Sequence, residues 1–232
     1  MVIAMFLAHL VGDYVLQWDS LAQWKAREFR GVAVHSLILF LVTFAFALPF
    51  PPMWWSGVLI IGGSHFLIDS LQFFHKAQIP PLLRFSLDQL THMAIIILAL
   101  VSGGYLEWGH IWSGILQSAN ETPLLTTATA YAFITMPAWV LLKYIAYAAA
   151  KDKAPNFLAG PNKFVGIAER LIIVTLVMFG QFLLVPLVAL PHVILAWPQL
   201  TQGQSKAAYA IELVAGVVLA VGVGVALLLL RF

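Results

Sequence analysis

The chain has 232 residues, of which 62% are hydrophobic and only 9% charged, with a formal net charge of +2 and no cysteine. A soluble domain carries roughly 25% charged residues, so this composition excludes an ordinary soluble globule and points to an integral membrane protein. The small positive balance implies no nucleic-acid partner, and the lack of cysteine excludes disulfides and thiolate metal sites.

Apolar stretches of spanning length predict an all-α, polytopic transmembrane bundle of about seven spans, built as a single domain over residues 1–232. The first span is Met1 to about Gln17. It has no basic leader and no clear cleavage site, so it reads as a retained helix. A loop with Lys25, Arg27 and Arg30 follows, and Trp18, Leu21 and Trp24 fit a short interfacial helix. The second span is about Gly31 to Leu48, ended by Pro49, Pro51 and Pro52. The third runs from about Trp54 to Phe74, and Lys76, Pro80, Pro81 and Arg84 form the next turn. The fourth runs from about Leu83 to Val101.

Gly103 to Pro123 reads as a longer loop without lysine or arginine, with Trp108 and Trp112 suited to a membrane–water interface. The fifth span is about Leu124 to Ala149, with Pro137 placed to kink it. Lys151, Asp152, Lys153, Pro155, Gly160, Pro161 and Lys163 form a polar loop. The sixth span runs from about Phe164 to Leu190. His192 to Ser205 reads as a loop, and Lys206 to Leu230 as the last span.

Lysine and arginine favour the cytoplasmic side. The loops after spans one, three and five hold Lys25, Arg27, Arg30, Lys76, Arg84, Lys151, Lys153 and Lys163, and Arg231 follows span seven. The loops after spans two and four hold none. The expectation is an outside N-terminus and a cytoplasmic C-terminus, in a bacterial plasma (inner) membrane.

Seven histidines and aspartates lie inside the first four apolar segments, and six form pairs four apart: His9 with Asp13, His65 with Asp69, and Asp88 with His92. His35 is the seventh. Residues four apart share a helix face, so each pair offers an imidazole and a carboxylate to one point. An aspartate in a membrane helix costs about 2.5–3.5 kcal/mol on the insertion scale. Three would cost about 8–10 kcal/mol without compensation. The predicted orientation brings all seven groups to the cytoplasmic half.

Imidazole and carboxylate are standard ligands for zinc, iron and manganese. The candidate metal ligands are therefore His9, Asp13, His35, His65, Asp69, Asp88 and His92, holding one or two divalent ions, zinc first. Some of the seven would orient ligands rather than bind. Asp13, Asp69 and Asp88 are the candidate catalytic carboxylates. Gln17, Ser36, Ser64 and Glu169 are candidate hydrogen-bonding neighbours. Lys143 and Arg170 are candidates for holding an anionic head group.

Competing readings are plainer. Ser86-Leu87-Asp88-Gln89 reads as a capping box opening span four. His35 reads as a lone hydrogen-bonding histidine, Glu169-Arg170 as a self-neutralising pair and Lys143 as a snorkelling side chain. His75, His110 and His192 read as surface residues.

The motifs Ala8-His9-Leu10-Val11-Gly12-Asp13-Tyr14-Val15-Leu16-Gln17, His35-Ser36-Leu37, Ser64-His65-Phe66-Leu67-Ile68-Asp69 and Leu87-Asp88-Gln89-Leu90-Thr91-His92 resemble an uncharacterised bacterial integral-membrane family. It is known as domain of unknown function 3307. Gly166-Ile167-Ala168-Glu169-Arg170-Leu171-Ile172 resembles its later motif. The resemblance implies topology and motif set, not a reaction. More distantly, the pattern is similar to membrane-bound metal-dependent hydrolases.

Three functions fit these residues. The first is a metal-dependent hydrolase of a lipid or lipid-linked substrate, reached from the cytoplasmic leaflet. The second is a transporter of divalent cations or protons, for which a polar path past Gln181 and Glu212 would be needed. The third is a structural or regulatory membrane protein whose metal staples the bundle. Oligomeric state is open.

Overall fold

The computed structural model describes all residues except 51–53, 76–77, 152–156, 158–161, 203–205 and 231–232. Pro51, Pro52, Lys76, Asp152, Lys153, Pro155, Gly160, Pro161, Ser205 and Arg231, used above as span ends or charge markers, lie outside the described residues. The described chain is helical and contains no strand. It divides into two compact units, Met1–Thr129 and Ala130–Phe232.

The first unit begins with α1 (Val2–Leu10), which widens into a π turn over Val11–Val15. There the Leu16 N–H reaches Val11 O at 2.8 Å, one residue beyond the α-helical partner. Gly12 lets this turn press on the next membrane helix, because a Cβ there would lie 3.1 Å from Leu39. The amphipathic stretch after span one is indeed a short helix, α2 (Asp19–Arg27). Next come α3 (Phe29–Ala47), α4 (Trp55–Phe74) and α5 (Pro81–Ser102), close to the expected second, third and fourth spans.

Each of these three helices is long and apolar enough to cross a membrane. The first apolar segment, Val2–Val15, is shorter than a full span. The expected loop Gly103–Pro123 instead contains a one-turn helix at Trp108–His110 and then α6 (Ile111–Glu121). Its apolar spacing closes on the core through Ala119, which sequence polarity had hidden. That core gathers Val2–Met5, Ala47, Trp54, Val58, Ile61, Ile96, Ala99 and Leu100 at one end of the unit. The motif residues lie at the other helix ends.

The chain enters the second unit along α7 (Pro123–Ile134), followed by α8 (Met136–Ala149). The two helices bend by 43° at Thr135. Pro137 supplies the cause, since its ring removes one N–H and crowds the preceding turn. The pair together is long and apolar enough to form one broken span. With it the count is five candidate spans, and without it four, the last being α11 (Lys206–Leu229).

The expected sixth span is two helices. α9 (Asn162–Met178) ends at a turn where Gly180 adopts φ +75°, a conformation that favours glycine. After a 3₁₀ turn at Phe182–Leu184, α10 (Val185–Gln202) continues through Pro191 and Pro198. The expected loop from His192 is therefore helical as far as Gln202. Proline in this stretch suggested a loop, yet membrane helices tolerate it where neighbours satisfy the freed backbone groups.

This helix changes the sense of the last span. Gly216 sits beside Arg170, and a Cβ on Gly224 would lie 2.6 Å from Val177. Residue numbers rise together along the contact, so α9 and α11 run parallel. The expectation had them antiparallel. The Leu229 end of α11 thus lies with the Met178 end of α9. The expected topology puts Lys143 and Glu212 in opposite membrane halves, but Lys143 Nζ is 3.3 Å from Glu212 Oε2. An α11 that starts beside the end of α8 explains the pair.

Candidate metal centre

α1 with its π turn, α3, α4 and α5 each bring part of one polar cluster. His9, Asp13, His35, His65, Asp69 and His92 are buried, and Asp88 is largely so. The i,i+4 geometry closes all three pairs. His9 Nε2 is 3.8 Å from Asp13 Oδ2, His65 Nε2 is 3.3 Å from Asp69 Oδ2, and His92 Nε2 is 3.2 Å from Asp88 Oδ1. His35 joins them rather than standing alone. Its Nε2 lies 3.1 Å from Asp13 Oδ1, 3.2 Å from His65 Nε2 and 3.6 Å from Asp69 Oδ2. The His65 and His92 rings stack at 4.2 Å, with His9 against both.

Hydrogen bonding alone does not account for His35. One imidazole nitrogen carries at most one proton, yet His35 Nε2 faces two carboxylate oxygens and a second imidazole nitrogen. Asp13, His35 and His65 each offer a ligand atom within 4.8 Å of the others, as do His65, Asp69 and His92. Such clusters of electron-pair donors can hold a metal ion.

The spacing suits a small ion held by three of these donors. Bonds of about 2.0–2.1 Å imply ligand–ligand edges of about 3.3 Å. Asp13 Oδ1, His35 Nε2 and His65 Nε2 stand 3.1, 3.2 and 3.9 Å apart, and Asp69 Oδ2 lies 3.3 Å from His65 Nε2 and 3.6 Å from His35 Nε2. Both triads use His65, and one nitrogen lone pair serves one ion.

Two contributors were not singled out from sequence. Lys25 of α2 reaches into the cluster, with Nζ 2.7 Å from Asp69 Oδ2. Burial pulls its ammonium down, but Asp69 and then Asp13 outweigh burial and hold it above the usual lysine range. Gly31 makes this approach possible: a Cβ there would lie 2.5 Å from the Lys25 backbone nitrogen. The clue was the sequence Trp24-Lys25 before Gly31, a tight return that keeps the basic residue close to the membrane helices. Gln89 is the second. Its Oε1 is 3.3 Å from His9 Nε2, while its amide donates to Asp13 Oδ2 at 3.2 Å and Asp88 Oδ2 at 2.9 Å. Its position three before His92, on the same face, was the available signal.

α5 starts at Pro81, so Asp88 lies about two turns inside it. The capping-box reading fails for that reason. Instead Gln72 Nε2 donates to Asp88 Oδ1 at 2.5 Å. The expected neighbours behave differently. Ser64 Oγ donates to Ile60 O and Ile61 O of its own helix. Gln17 Oε1 and Ser36 Oγ are buried and have no hydrogen-bond partner among the described residues.

Lys143, Glu169 and Arg170 belong to the second unit. Arg170 donates from Nε to Ile134 O at 3.1 Å and from Nη2 to Thr135 O at 3.4 Å, so its guanidinium caps the bend between α7 and α8. His192 is not at the surface: it is buried, and its Nδ1 donates to Glu169 Oε2.

Residues 1–115 match the family described as Protein of unknown function (DUF3307). All seven cluster residues, with Lys25 and Gln89, fall inside the matched segment. No curated protein and no solved structure matches the chain.

Proposed function

We propose that this protein is a membrane-embedded metalloenzyme that hydrolyses a lipid or lipid-linked substrate, with one divalent transition metal held by Asp13, His35 and His65. The observation carrying the reading is the close approach of Asp13 Oδ1 and His65 Nε2 to His35 Nε2, at 3.1 and 3.2 Å. Zinc is the first choice, and iron or manganese are compatible with the donor set. Charge supports a single ion. Asp13, Asp69 and Asp88 are offset by Lys25 and one divalent cation, leaving the cluster neutral when its histidines are neutral.

A bound metal of this kind supplies a water of lowered pKa and polarises a carbonyl or phosphoryl oxygen. Three protein ligands with a fourth position for water is the pattern of catalytic zinc. Asp69, beside His35 and His65 and held by Lys25, would accept the proton of such a water. Asp88, His92, His9 and Gln89 orient the ligands.

The bacterial inner membrane is the proposed location. Lys25 beside the cluster supports a cytoplasmic setting for it, with the N-terminus outside. Placing Lys151, Lys163 and Lys206 in the cytoplasm puts the Leu229 end of the parallel α11 outside, opposite to the first expectation.

Metal analysis of the purified protein, paired with hydrolysis of phospholipid vesicles, tests the proposal. Expected are about one ion per chain by the charge argument and activity lost on chelation and in Asp69→Ala. Protein with no ion would remove the reading. Metal without hydrolysis would favour the transport or staple alternatives, and cation uptake into proteoliposomes separates those two. The transport alternative draws on Glu169–His192 and Lys143–Glu212, ionisable pairs in apolar helices of the second unit.

A further inference from the structure

The second triad, His65 with Asp69 and His92, has a donor geometry of its own. One ligand atom from each residue lies within 4.8 Å of the other two. His92 Nε2 is buried and makes no hydrogen bond among the described residues, although Asp88 Oδ1 lies 3.2 Å away. The His65 and His92 rings stack at 4.2 Å and 24°, so each turns its face rather than a nitrogen to the other. A buried polar atom left unpaired is costly, and a bound cation would satisfy it.

The two triads draw on the same nitrogen. His65 Nε2 lies 3.2 Å from His35 Nε2 and 3.3 Å from Asp69 Oδ2. One lone pair binds one ion, so the triads exclude each other. An ion can nevertheless pass between them while His65 keeps hold of it.

Access and charge rank the two positions. The Asp88 side chain beside His92 is 19% exposed, whereas no other histidine or aspartate of the cluster exceeds 8% and His35 is fully buried. An ion arriving from outside the bundle therefore meets Asp88 and His92 before it meets His35. Asp69 already faces Lys25 Nζ at 2.7 Å, and that ammonium repels a second cation placed beside it. The triad containing Asp69 is thus the weaker of the two. We propose that His65, Asp69 and His92 form an entry position for a divalent transition metal, which then passes to Asp13, His35 and His65. The entry position rests on the reading of those last three residues as the resting metal site. It gives His92 and Asp88 a part in delivering the ion besides orienting its ligands.

The test uses full-length protein in detergent micelles, stripped with chelator and mixed rapidly with cobalt(II). The visible absorption of bound cobalt reports loading, and competition with a chelator reports release. His92→Ala and Asp88→Asn should each slow loading several-fold, while His75→Ala loads as the wild type does. Loading at the wild-type rate in both variants overturns the entry position. Faster release with loading unmoved does so too, because it marks residues that only orient ligands. An equilibrium measurement stands beside the rates. His35→Ala should still take up a weakly held cobalt ion at excess metal, and His35→Ala combined with His92→Ala should not. Equal uptake by those two proteins overturns the entry position as well. Wild-type protein that binds no cobalt removes the metal reading itself; binding with loading unchanged in the variants removes only the entry position.

Discussion

Lys25 Nζ lies 2.7 Å from Asp69 Oδ2, so a residue of a short polar helix supplies the positive charge nearest a carboxylate of the buried cluster. The same carboxylate is 3.3 Å from His65 Nε2 and 3.6 Å from His35 Nε2. A fixed cation and an incoming metal ion then share one anionic partner, and their repulsion sets how tightly the metal is held.

Lys25→Ala should therefore act with opposite signs on the two states. Without metal, removing one partner of a largely buried pair costs about 3–5 kcal/mol at most, and less here because Lys25 is partly exposed. With metal, the lost repulsion should tighten binding about tenfold, equivalent to about 1.4 kcal/mol. Thermal unfolding in chelator and metal titration measure the two effects. A parallel loss of stability and affinity would show that Lys25 only supports packing.

Chelation of the wild-type protein should lower its melting temperature, because an ion that binds only the folded state adds about 4 kcal/mol at a thousand times its Kd. His35→Ala and His65→Ala should lose the ion and become insensitive to chelator. His75→Ala, at the end of α4 and away from the cluster, should keep both ion and sensitivity. Equal behaviour of His35→Ala and His75→Ala would contradict the assignment.

Gln89→Leu removes the amide that joins His9, Asp13 and Asp88. Groups that orient metal ligands typically contribute 10–100-fold in affinity, so metal binding should weaken by about that factor while the ion can still be loaded at excess. Unchanged affinity by titration would restrict Gln89 to packing.

Arg170→Ala leaves Ile134 O and Thr135 O without their charged donor at the bend. Hydrogen bonds to charged groups contribute about 1.5–3 kcal/mol each, so a loss of a few kcal/mol in unfolding free energy is expected, with metal content intact. If Arg170 instead holds a substrate head group, turnover would fall with the melting temperature unmoved.

The histidine–aspartate cluster was legible because its residues follow helical spacing and because charge in an apolar helix is conspicuous. His9, Asp13, His65, Asp69, Asp88 and His92 announce themselves by position alone, and the helix boundaries around them hold to within a few residues. Lys25 was hidden because a lysine near a membrane surface has an ordinary explanation, and nothing local in sequence encodes where α2 folds back. His192 was hidden by Pro191 and Pro198, which look like loop residues in water but are accommodated within α10. The direction of α11 followed from the same misreading, since a missed helix reverses every later span.

The widened turn at Val11–Val15 makes the cluster unusually sensitive to chain length. A π turn absorbs one residue more than an α turn. Inserting a further residue there would exceed what the turn absorbs and shift the phase of the downstream residues by about 100°. His9 and Asp13 sit on either side of the start of that turn, and Gly12 within it is packed on Leu39. A lengthened chain would thus still make a hydrophobic helix and still insert, yet present its polar residues in the wrong direction. Length variation at Val11–Val15 is expected to sort relatives that retain this donor set from those that have lost it, even where overall hydropathy is unchanged.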